Sequence, residues 1–287
     1  MTPTKIALVT GSTDGIGLTT AKALASSGYR VIVHGRDPDR VTKACANVRA
    51  AGGSFACAIP ALADISTLPG CKSLAETVTT VCLAQSSHLD LLVHNAGVFV
   101  ERKETVPWDN DASHTLERTF AVNVAAPFAI TSLLLPVLIA GSRIIIVSSI
   151  SQASAINYWE DLQFQKRPYS KYQSYAESKL FDAMLCMEIA ERLKVLSITV
   201  NCLDPGTVNT KMLLAGWGAC GIHVDKALDV AWVSTSSHLE GKSGLYFVGR
   251  KATKASWSAY DLNERKKLWE ILCPLVSPVS KLWESIM

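Results

Sequence analysis

The strongest constraint on the fold is an alternation of short apolar runs with longer helical patterns. Seven apolar runs are predicted as strands, at residues 5–10, 30–35, 54–59, 89–97, 142–149, 196–206 and 244–249. Most are continuously apolar, as is typical of parallel strands covered on both faces. Helical patterns over about 16–27, 38–50 and 67–85 separate the first four. Because each parallel strand needs a crossover, the chain is predicted to form a doubly wound α/β sheet of about seven strands with helices on both faces.

Composition favours one domain and excludes some partners. The 287 residues are 48% hydrophobic and 18% charged, which suits one large core, and no linker or repeat interrupts them. Residues 1–287 are therefore predicted as a single domain. The net charge of +3 is spread along the chain, so no nucleic-acid partner is expected. The eight cysteines form no C-x-x-C pair, which predicts reduced thiols of an intracellular protein and no metal site.

One apolar run raises the question of a membrane. Residues 120–139 have the length of a membrane span, but polar side chains, Pro127 and Pro136 interrupt them. The run is therefore predicted as a buried or interface helix rather than a transmembrane segment. The first strand begins so early that no signal peptide is expected before it, and a cytoplasmic location is the expectation.

A glycine-rich turn stands where the first strand meets the first helix. In "TGSTDGIG", residues 10–17, Gly11 permits a tight turn and Gly15 lets the backbone approach a phosphate. Gly17 allows the helix to pack closely on the sheet. The start of the helix then offers N–H groups and a positive dipole end to a pyrophosphate. The turn predicts a nucleotide site.

Six motifs in order resemble those of the short-chain dehydrogenase/reductase family. The turn matches T-G-x-x-x-G-x-G, and it is followed by "HNAG" (94–97), "NVAAP" (123–127), "IIIVSSIS" (144–151), "YAESK" (175–179) and "DPGTVNT" (204–210). The resemblance implies a Rossmann-like fold and an oxidoreductase that uses a nicotinamide cofactor. The long insert before Tyr175 is similar to that of the retinol dehydrogenase-like and carbonyl reductase branch.

The resemblance also implies where the cofactor lies. Arg36 directly follows the second strand, where an arginine can accept a 2′-phosphate and an acidic residue would bind the adenosine ribose. NADP(H) is therefore predicted, although Asp14 stands where many NADP-preferring relatives carry a basic residue. Asp64 is expected to contact adenine, Asn95 to support the cofactor and central strand, and His94 to be structural. The implied cofactor-binding residues are Gly11, Ser12, Thr13, Asp14, Gly15, Ile16, Gly17, Arg36, Asp64, Ile65, Asn95, Ala96, Gly97, Tyr175, Lys179, Pro205, Gly206, Val208 and Thr210.

Tyr175 and Lys179 are the expected centre of the chemistry. Four residues apart on a helix, they share one face. Tyrosine has an ordinary pKa of about 10, and a neighbouring cation lowers it, which makes the phenol a better acid–base catalyst. The resemblance implies that Tyr175 donates the proton and that Lys179 also holds the nicotinamide ribose. It further implies that Ser149 hydrogen-bonds the substrate oxygen and that Asn123 holds a water linked to Lys179.

An apolar segment after the last motif is predicted to cover the substrate. This lid spans about residues 207–225 and contains Trp217. Its composition predicts a lipophilic carbonyl or alcohol substrate, such as a retinal-like or steroid-like molecule. The expected substrate residues are Ser149, Ile150, Trp159, Tyr175 and Trp217, with Val98, Phe99 and Tyr169 also on the floor and rim.

The remaining expectations concern assembly and the chain ends. The helices over about 112–139 and 174–193 correspond to the usual dimer face of the family, so a homodimer or homotetramer is expected. Residues 251–287 are predicted as a C-terminal extension. Ser174 and Glu177 have the spacing of a capping box, although the helix could begin near Ser170.

Two other functions stay open at this point. A non-catalytic NADP(H)-binding regulator would share the cofactor turn, but such proteins typically lose a catalytic residue. A nucleotide-sugar epimerase shares Y-x-x-x-K, but it usually carries G-x-x-G-x-x-G and a larger C-terminal substrate domain.

Overall fold

A computed structural model describes residues 5–54, 57–277 and 283. Eight strands form one sheet in the order β10-β9-β8-β7-β4-β1-β2-β3, in which only β10 is antiparallel to its neighbour. Two further strands, β5 and β6, form a separate antiparallel pair. The strands are β1 (Ile6–Val9), β2 (Arg30–Gly35), β3 (Ala58–Leu62), β4 (Leu91–His94), β5 (Thr105–Pro107), β6 (Thr115–Glu117), β7 (Arg143–Val147), β8 (Thr199–Asp204), β9 (Leu245–Val248) and β10 (Lys251–Thr253).

Helices cover both faces of the sheet, as predicted. Over the described residues they are α1 (Gly15–Ser26), α2 (Pro38–Gly52), α3 (Leu68–Ala84), α4 (Arg118–Phe120), α5 (Ala126–Leu134), α6 (Lys171–Leu193), α7 (Lys211–Trp217), α8 (Asp229–Thr235) and α9 (Leu262–Leu275). A π-helical turn, Ala121–Ala125, joins α4 to α5.

The apolar strands are buried on both sides. Ile6 and Leu8 belong to the cluster beneath α3, α5, α6 and α9, whereas Ala7 and Val9 belong to the cluster beneath α1, α2 and α8. Successive side chains of a strand point to opposite faces, so a strand with two cores must be apolar throughout. Each fully buried large aliphatic side chain contributes about 1.5–3 kcal/mol to stability.

The sheet differs from the prediction at its two edges. The third strand begins four residues later than expected and ends three residues later, at Ala58–Leu62. Residues 55 and 56 of the predicted run 54–59 lie outside the described part of the chain. The apolar run stops at Pro60, but β3 is an edge strand, where a proline without an N–H is tolerated. At the other edge, β10 adds an eighth strand to the predicted seven.

The long apolar helix begins later than residue 112 because residues 115–117 form β6. Glu117 caps its start by accepting the N–H of Phe120 at 2.9 Å. Pro127 has no N–H to donate to the carbonyl four residues earlier, and the π-helical turn lies just before it. The helical stretch Arg118–Val137 is long and apolar enough to cross a membrane, but 89% of its most apolar window is buried inside the protein. The structure thus favours the predicted buried helix.

The C-terminal segment supplies much of that burial. Phe128 of α5 lies 4.9 Å from Trp269 of α9 and 6.3 Å from Trp283, measured between ring centroids. The indole N–H of Trp283 donates to the Ser132 hydroxyl at 2.7 Å. Contacts within one chain therefore account for the apolar excess of residues 120–139, which no longer argues for a dimer interface. Residues 278–282 and 284–287 of the predicted extension lie outside the described part.

Helix α6 begins at Lys171, with Ser170 as its N-cap. The capping box predicted for Ser174 and Glu177 is wrong because both lie inside the helix. The Ser174 hydroxyl donates to Glu117 at 3.2 Å, and Glu177 accepts from an arginine of the preceding insert at 2.8 Å. The start of the helix, and with it the position of Tyr175, is set by Ser170.

Candidate active site

A cavity of about 660 Å³ opens at the carboxyl ends of the parallel strands. It lies where β1 continues to β2 on one side and neighbours β4 on the other, the switch point at which doubly wound sheets bind ligands. The predicted site residues that line it are Gly11, Thr13, Asp14, Gly15, Ile16, Gly17, Arg36, Asp64, Ile65, Asn95, Ala96, Gly97, Val98, Ser149, Ile150, Tyr175, Lys179, Pro205, Gly206, Val208, Thr210 and Trp217.

The glycine-rich turn is shaped for a close approach of backbone. Gly11 has φ +64°, and a Cβ there would lie 2.9 Å from the Cα of Ala96. A Cβ on Gly17 would collide with Asn95 and with the carbonyl oxygen of Gly11. Asp14 caps α1 and accepts the N–H of the next residue at 2.8 Å. The turn thus leaves a space that a side chain would fill, and this space lies at the positive end of the 12-residue helix α1. Such a space fits a dinucleotide pyrophosphate.

Asn95 ties the end of β4 to this turn. Its side-chain amide donates to the carbonyl oxygens of Thr10 at 2.9 Å and Gly11 at 3.2 Å. The Thr10 hydroxyl in turn accepts the backbone N–H of Asn95 at 3.0 Å. The preceding His94 is buried, bonds to Thr131 at 2.8 Å, and has its pKa lowered by burial to about 3, so it is a neutral structural residue.

Two residues support the turn from behind: Ser12, which was predicted to contact the cofactor, and His34, which was not predicted. Ser12 is fully buried and does not line the cavity; its hydroxyl accepts the N–H of His34 at 2.9 Å. His34 was not singled out in the sequence, yet its Nδ1 accepts the N–H of Gly11 at 3.0 Å. A histidine inside an otherwise apolar strand was the available signal.

The cavity wall is basic where β2 ends. Arg36 and Arg40 both line it, and the Asp37 carboxylate caps α2 by accepting the Arg40 N–H at 2.9 Å. Asp14 pairs with Arg40 at 3.3 Å and with Lys211 at 2.7 Å, and the hydrogen bond from Lys211 is the main reason that its pKa is lowered. The acidic side chains here are thus engaged, and Arg40 and Lys211 add to the predicted site.

Tyr175, Lys179 and Ser149 face the same cavity. The Lys179 ammonium lies 5.6 Å from the centroid of the Tyr175 ring and donates to the carbonyl of Val147 at 2.9 Å. It also pairs with Asp182 at 2.8 Å. The helical spacing therefore brings Tyr175 and Lys179 together as predicted. The Asp182 carboxylate beside them was not predicted.

The pKa of Tyr175 is higher than its ordinary value, opposite to the direction expected from Lys179 alone. Burial of the phenol raises it most. Lys179 does lower it, as does a hydrogen bond with Ser149, but the charges of Asp182 and Asp204 raise it. The expectation was wrong in its net sign because it omitted desolvation and both carboxylates.

The two adjacent serines have different surroundings. Ser148 is buried, and its hydroxyl donates to the carbonyl of Lys179 at 2.7 Å, which is a structural contact. Ser149 is only partly buried; its hydroxyl lies 3.2 Å from that of Ser151 and accepts the N–H of the same residue. Asp204 accepts the N–H of Ile150 at 2.6 Å and so fixes the loop that carries Ser149.

Asn123 lies behind the cavity rather than on its wall. It is buried in the π-helical turn, where its side chain accepts the N–H of Val98 at 2.8 Å and donates to the same residue's carbonyl at 3.1 Å. Its amide also donates to Ser178 at 3.0 Å. The side chain thus holds the loop after β4 against α6, one residue before Lys179.

Trp217, in the segment predicted to be a lid, belongs to an aromatic cluster beside the phenol. Trp217 lies 4.8 Å from Phe99 and 6.0 Å from Tyr175, measured between ring centroids. The Tyr172 hydroxyl donates to the carbonyl of Gly216 at 3.0 Å and thereby fastens the end of α7. Trp217 keeps 43% of its surface exposed, so it lies at the mouth of the cavity.

The structure does not bring Phe99, Trp159 or Tyr169 to the cavity wall, although all three were predicted there. Phe99 packs behind it, with ring contacts to Tyr175 and Trp217. The indole of Trp159 donates to Glu264 at 2.9 Å and lies 5.5 Å from Phe181. The Tyr169 hydroxyl donates to the carbonyl of Val100 at 3.0 Å. The insert that precedes α6 packs on other elements instead.

Over the described part of the chain, no group of three or more His, Cys, Asp or Glu is placed to hold a metal ion.

The switch-point cavity, the glycine-rich turn and the Tyr–Lys pair together define an oxidoreductase with a nicotinamide cofactor. Residues 5–216 match the sequence model described as "short chain dehydrogenase". The chain therefore belongs to the short-chain dehydrogenase/reductase family, and its curated relatives include retinol dehydrogenases.

Polyprenol dehydrogenase of Mus musculus is 31% identical over 288 residues, which cover 93% of this chain and 82% of that protein. Retinol dehydrogenase 12 of Homo sapiens is 31% identical over 288 residues, which cover 96% of this chain and 87% of that protein. The structure of angucycline C-6 ketoreductase LanV with bound NADP is 26% identical, with a TM-score of 0.65 over 85% of this chain and 93% of that one. An uncharacterized Mycobacterium paratuberculosis protein, 23% identical, shares the fold with a TM-score of 0.73 over 96% of this chain and 93% of its own.

Proposed function

We propose that this protein is an NADP(H)-dependent oxidoreductase that moves a hydride between nicotinamide and a lipophilic carbonyl or alcohol. The observation that carries the proposal is that Ser149, Tyr175 and Lys179 face one cavity with the glycine-rich turn. A nucleotide-binding module needs the turn but has no use for a phenol and hydroxyl on the same cavity.

The described side chains supply the proton chemistry of such a reaction. Bound nicotinamide would supply or accept the hydride at the substrate carbon. In the direction of reduction, Tyr175 would donate its hydroxyl proton to the carbonyl oxygen, and Ser149 would hydrogen-bond that oxygen as negative charge develops. Lys179 would stabilise the phenolate that is left and hold the cofactor ribose. Asn123 would keep the wall of the site in place through its contacts with Val98 and Ser178.

Three observations support NADP(H) over NAD(H). Arg36 and Arg40 line the cavity beyond β2, where a 2′-phosphate would lie, and guanidinium groups bind phosphate in a bidentate way. The carboxylates on the same wall already have partners, since Asp37 caps α2 and Asp14 pairs with Arg40 and Lys211, so Arg36 is the main candidate for the phosphate. In addition, the similar ketoreductase LanV was solved with NADP.

Three aromatic side chains near Tyr175, of which Trp217 lines the cavity, support a lipophilic substrate. Phe99, Tyr172 and Trp217 form mutual ring contacts between 4.8 and 5.6 Å. Apolar surface of this kind binds hydrocarbon better than it binds sugars or charged acids. The names of the relatives, retinol and polyprenol dehydrogenases, indicate isoprenoid alcohols as the first class to test.

The test follows NADPH absorbance with a panel of retinal, a polyprenal, steroids, quinones and small aldehydes. We expect turnover with at least one lipophilic carbonyl and weaker turnover with NADH. Tight NADPH binding without turnover of any carbonyl would favour the non-catalytic regulator. Conversion of a nucleotide sugar without net change in NADPH would favour the epimerase.

We also propose a cytoplasmic location and a homodimer or homotetramer. The resemblance to the family supports the oligomer, and multi-angle light scattering of the purified protein tests it. Eight cysteines, five of them buried, suit a reducing compartment. Imaging of the tagged protein in cells tests the location, and a secreted product would contradict it.

A further inference from the structure

Lys179 has a charged partner that the proposed reaction does not use. Its ammonium donates to the Asp182 carboxylate at 2.8 Å, and the two side chains are 5% and 2% exposed. Residues three apart on a helix lie on the same side, so α6 carries the pair as one unit. The same ammonium donates to the carbonyl of Val147 at 2.9 Å, and a Cβ on Gly97 would lie 3.7 Å from it.

Stability does not explain the carboxylate. Within the described residues, its second oxygen, Oδ1, is buried without a hydrogen-bond partner. Taking two charges out of water costs more than an imperfect pair returns, so buried ion pairs are weak stabilisers. An Asp182 that is only half satisfied is therefore an unfavourable choice for folding, and a role at the adjacent site is the better explanation.

The groups around Asp182 make it the main acidic neighbour of the pair. Lys179 and Tyr175 face it from its own helix, and Cys202 faces it from β8. Burial, then the neighbouring Cys186 and Asp182, raises the pKa of the Cys202 thiol well above its ordinary value, so that thiol stays neutral. Asp204 acts on Tyr175 from the end of β8, while its own oxygens hold the loop at Ile150 and Gly206.

The charge of Asp182 works against that of Lys179 at the phenol. Burial lowers the pKa of Lys179, but Asp182 and Tyr175 raise it to a net value above the ordinary one, so the lysine stays charged. At Tyr175, by contrast, Lys179 favours phenolate and Asp182 favours phenol. The lysine can thus be held as a cation for the ribose without ionising the tyrosine beside it.

We propose that Asp182 is a positioning residue that anchors the Lys179 ammonium and offsets its charge at Tyr175, so that the site favours a protonated phenol and carbonyl reduction. This inference rests on the proposed function for its direction, but the electrostatic part concerns Tyr175 alone. Removing the carboxylate while keeping its shape takes away a negative charge that favours the protonated phenol. Ionisation of the phenol then moves to lower pH.

The experiment compares Asp182→Asn with the parent protein and with Glu188→Gln. Glu188 is a matched control because it lies on α6 and pairs with Arg192 at 2.7 Å and Arg265 at 3.7 Å. Phenolate formation at Tyr175 is measured by ultraviolet titration, as the difference between each protein and the same protein carrying Tyr175→Phe. The pH profile of kcat/KM for carbonyl reduction is measured in parallel.

We expect Asp182→Asn to lower the Tyr175 midpoint by about one pH unit, the size expected for charges about 10 Å apart, seven residues along a helix, in a partly screened interior. The alkaline fall of kcat/KM for reduction should move down with it, and Glu188→Gln should move neither. An unchanged or raised midpoint overturns the proposal, even if the variant is less stable or slower at every pH. If no protein reduces a carbonyl, the proposed function fails while the titration still decides the electrostatic role.

Discussion

The Nδ1 atom of His34 accepts the backbone N–H of Gly11 at 3.0 Å, which joins β2 to the glycine-rich turn. Its Nε2 lies 3.2 Å from the carbonyl oxygen of Ala63, so the neutral ring must carry its proton on Nε2. Protonation would place a second N–H against the N–H of Gly11. The turn is therefore built around a neutral histidine.

This arrangement predicts a loss of stability in acid. Burial lowers the pKa of His34 to about 4, whereas an unfolded histidine titrates near 6.5. Between these values the unfolded chain binds the additional proton, so stability present above about pH 6.5 is lost as the pH falls to about 4. Between pH 7 and pH 4, the free energy of unfolding should therefore fall by roughly 3 kcal/mol less in His34→Gln than in the parent protein.

Urea unfolding at pH 7, 5 and 4 measures this difference. His238→Gln, which replaces an exposed histidine, should keep the parent dependence on pH. If the free energy of unfolding falls as much between pH 7 and pH 4 in His34→Gln as in the parent, the role given to this ring is wrong.

Tyr175→Phe should lower kcat for carbonyl reduction by about 10²–10⁴-fold, because it removes the proton donor and little volume. Fluorescence titration should show NADPH binding close to that of the parent, since the glycine-rich turn is untouched. Tyr29→Phe is the control, at the opposite end of the sheet, just before β2. Retained turnover in Tyr175→Phe would assign the proton to another group.

Arg36→Ala should raise the KM for NADPH by about 10- to 100-fold, the usual worth of hydrogen bonds to a charged group. The KM for NADH should change little, because NADH has no 2′-phosphate. Steady-state kinetics with both cofactors measure the ratio. Arg102→Ala removes an exposed arginine that does not line the cavity and should leave the ratio unchanged. An unaltered preference in Arg36→Ala would remove this residue from the cofactor site.

Trp217→Ala should raise the KM for a long lipophilic carbonyl by about tenfold, because a partly buried aromatic wall is lost. A small aldehyde, which does not reach the lid, should be affected less. Trp257→Ala provides a comparison, since that tryptophan is 72% exposed and lies outside the cavity. Equal effects on large and small substrates would place the lid away from the substrate.

Local periodicity and motif order predicted what depends on neighbours in sequence. The apolar runs define parallel strands because each must be buried on both faces, and the spacing of Tyr175 and Lys179 places them on one helical face. The turn at 10–17 follows from glycines at positions where a Cβ would collide. The glycine pattern can be recognised in the sequence, although the collisions that explain it involve Ala96 and Asn95, about 80 residues away.

Features that depend on long-range packing were missed or misplaced. Trp159 looked like a pocket residue, but Glu264, 105 residues further along the chain, holds its indole. The net direction of the Tyr175 pKa depends on burial, which no spacing reveals. Asp182 shares the face of Lys179 by its spacing, yet only the packed structure shows that both are withdrawn from water.

The π-helical turn Ala121–Ala125 makes the position of Asn123 depend on the number of residues in the helical stretch Arg118–Val137. A wide turn accommodates one residue more than an α-helical turn, so it sets the phase between the segments before and after it. Deleting one residue here would restore the ordinary helical phase and swing Asn123 away from Val98. Substitutions that keep the residue count are therefore better tolerated in this turn than any single insertion or deletion.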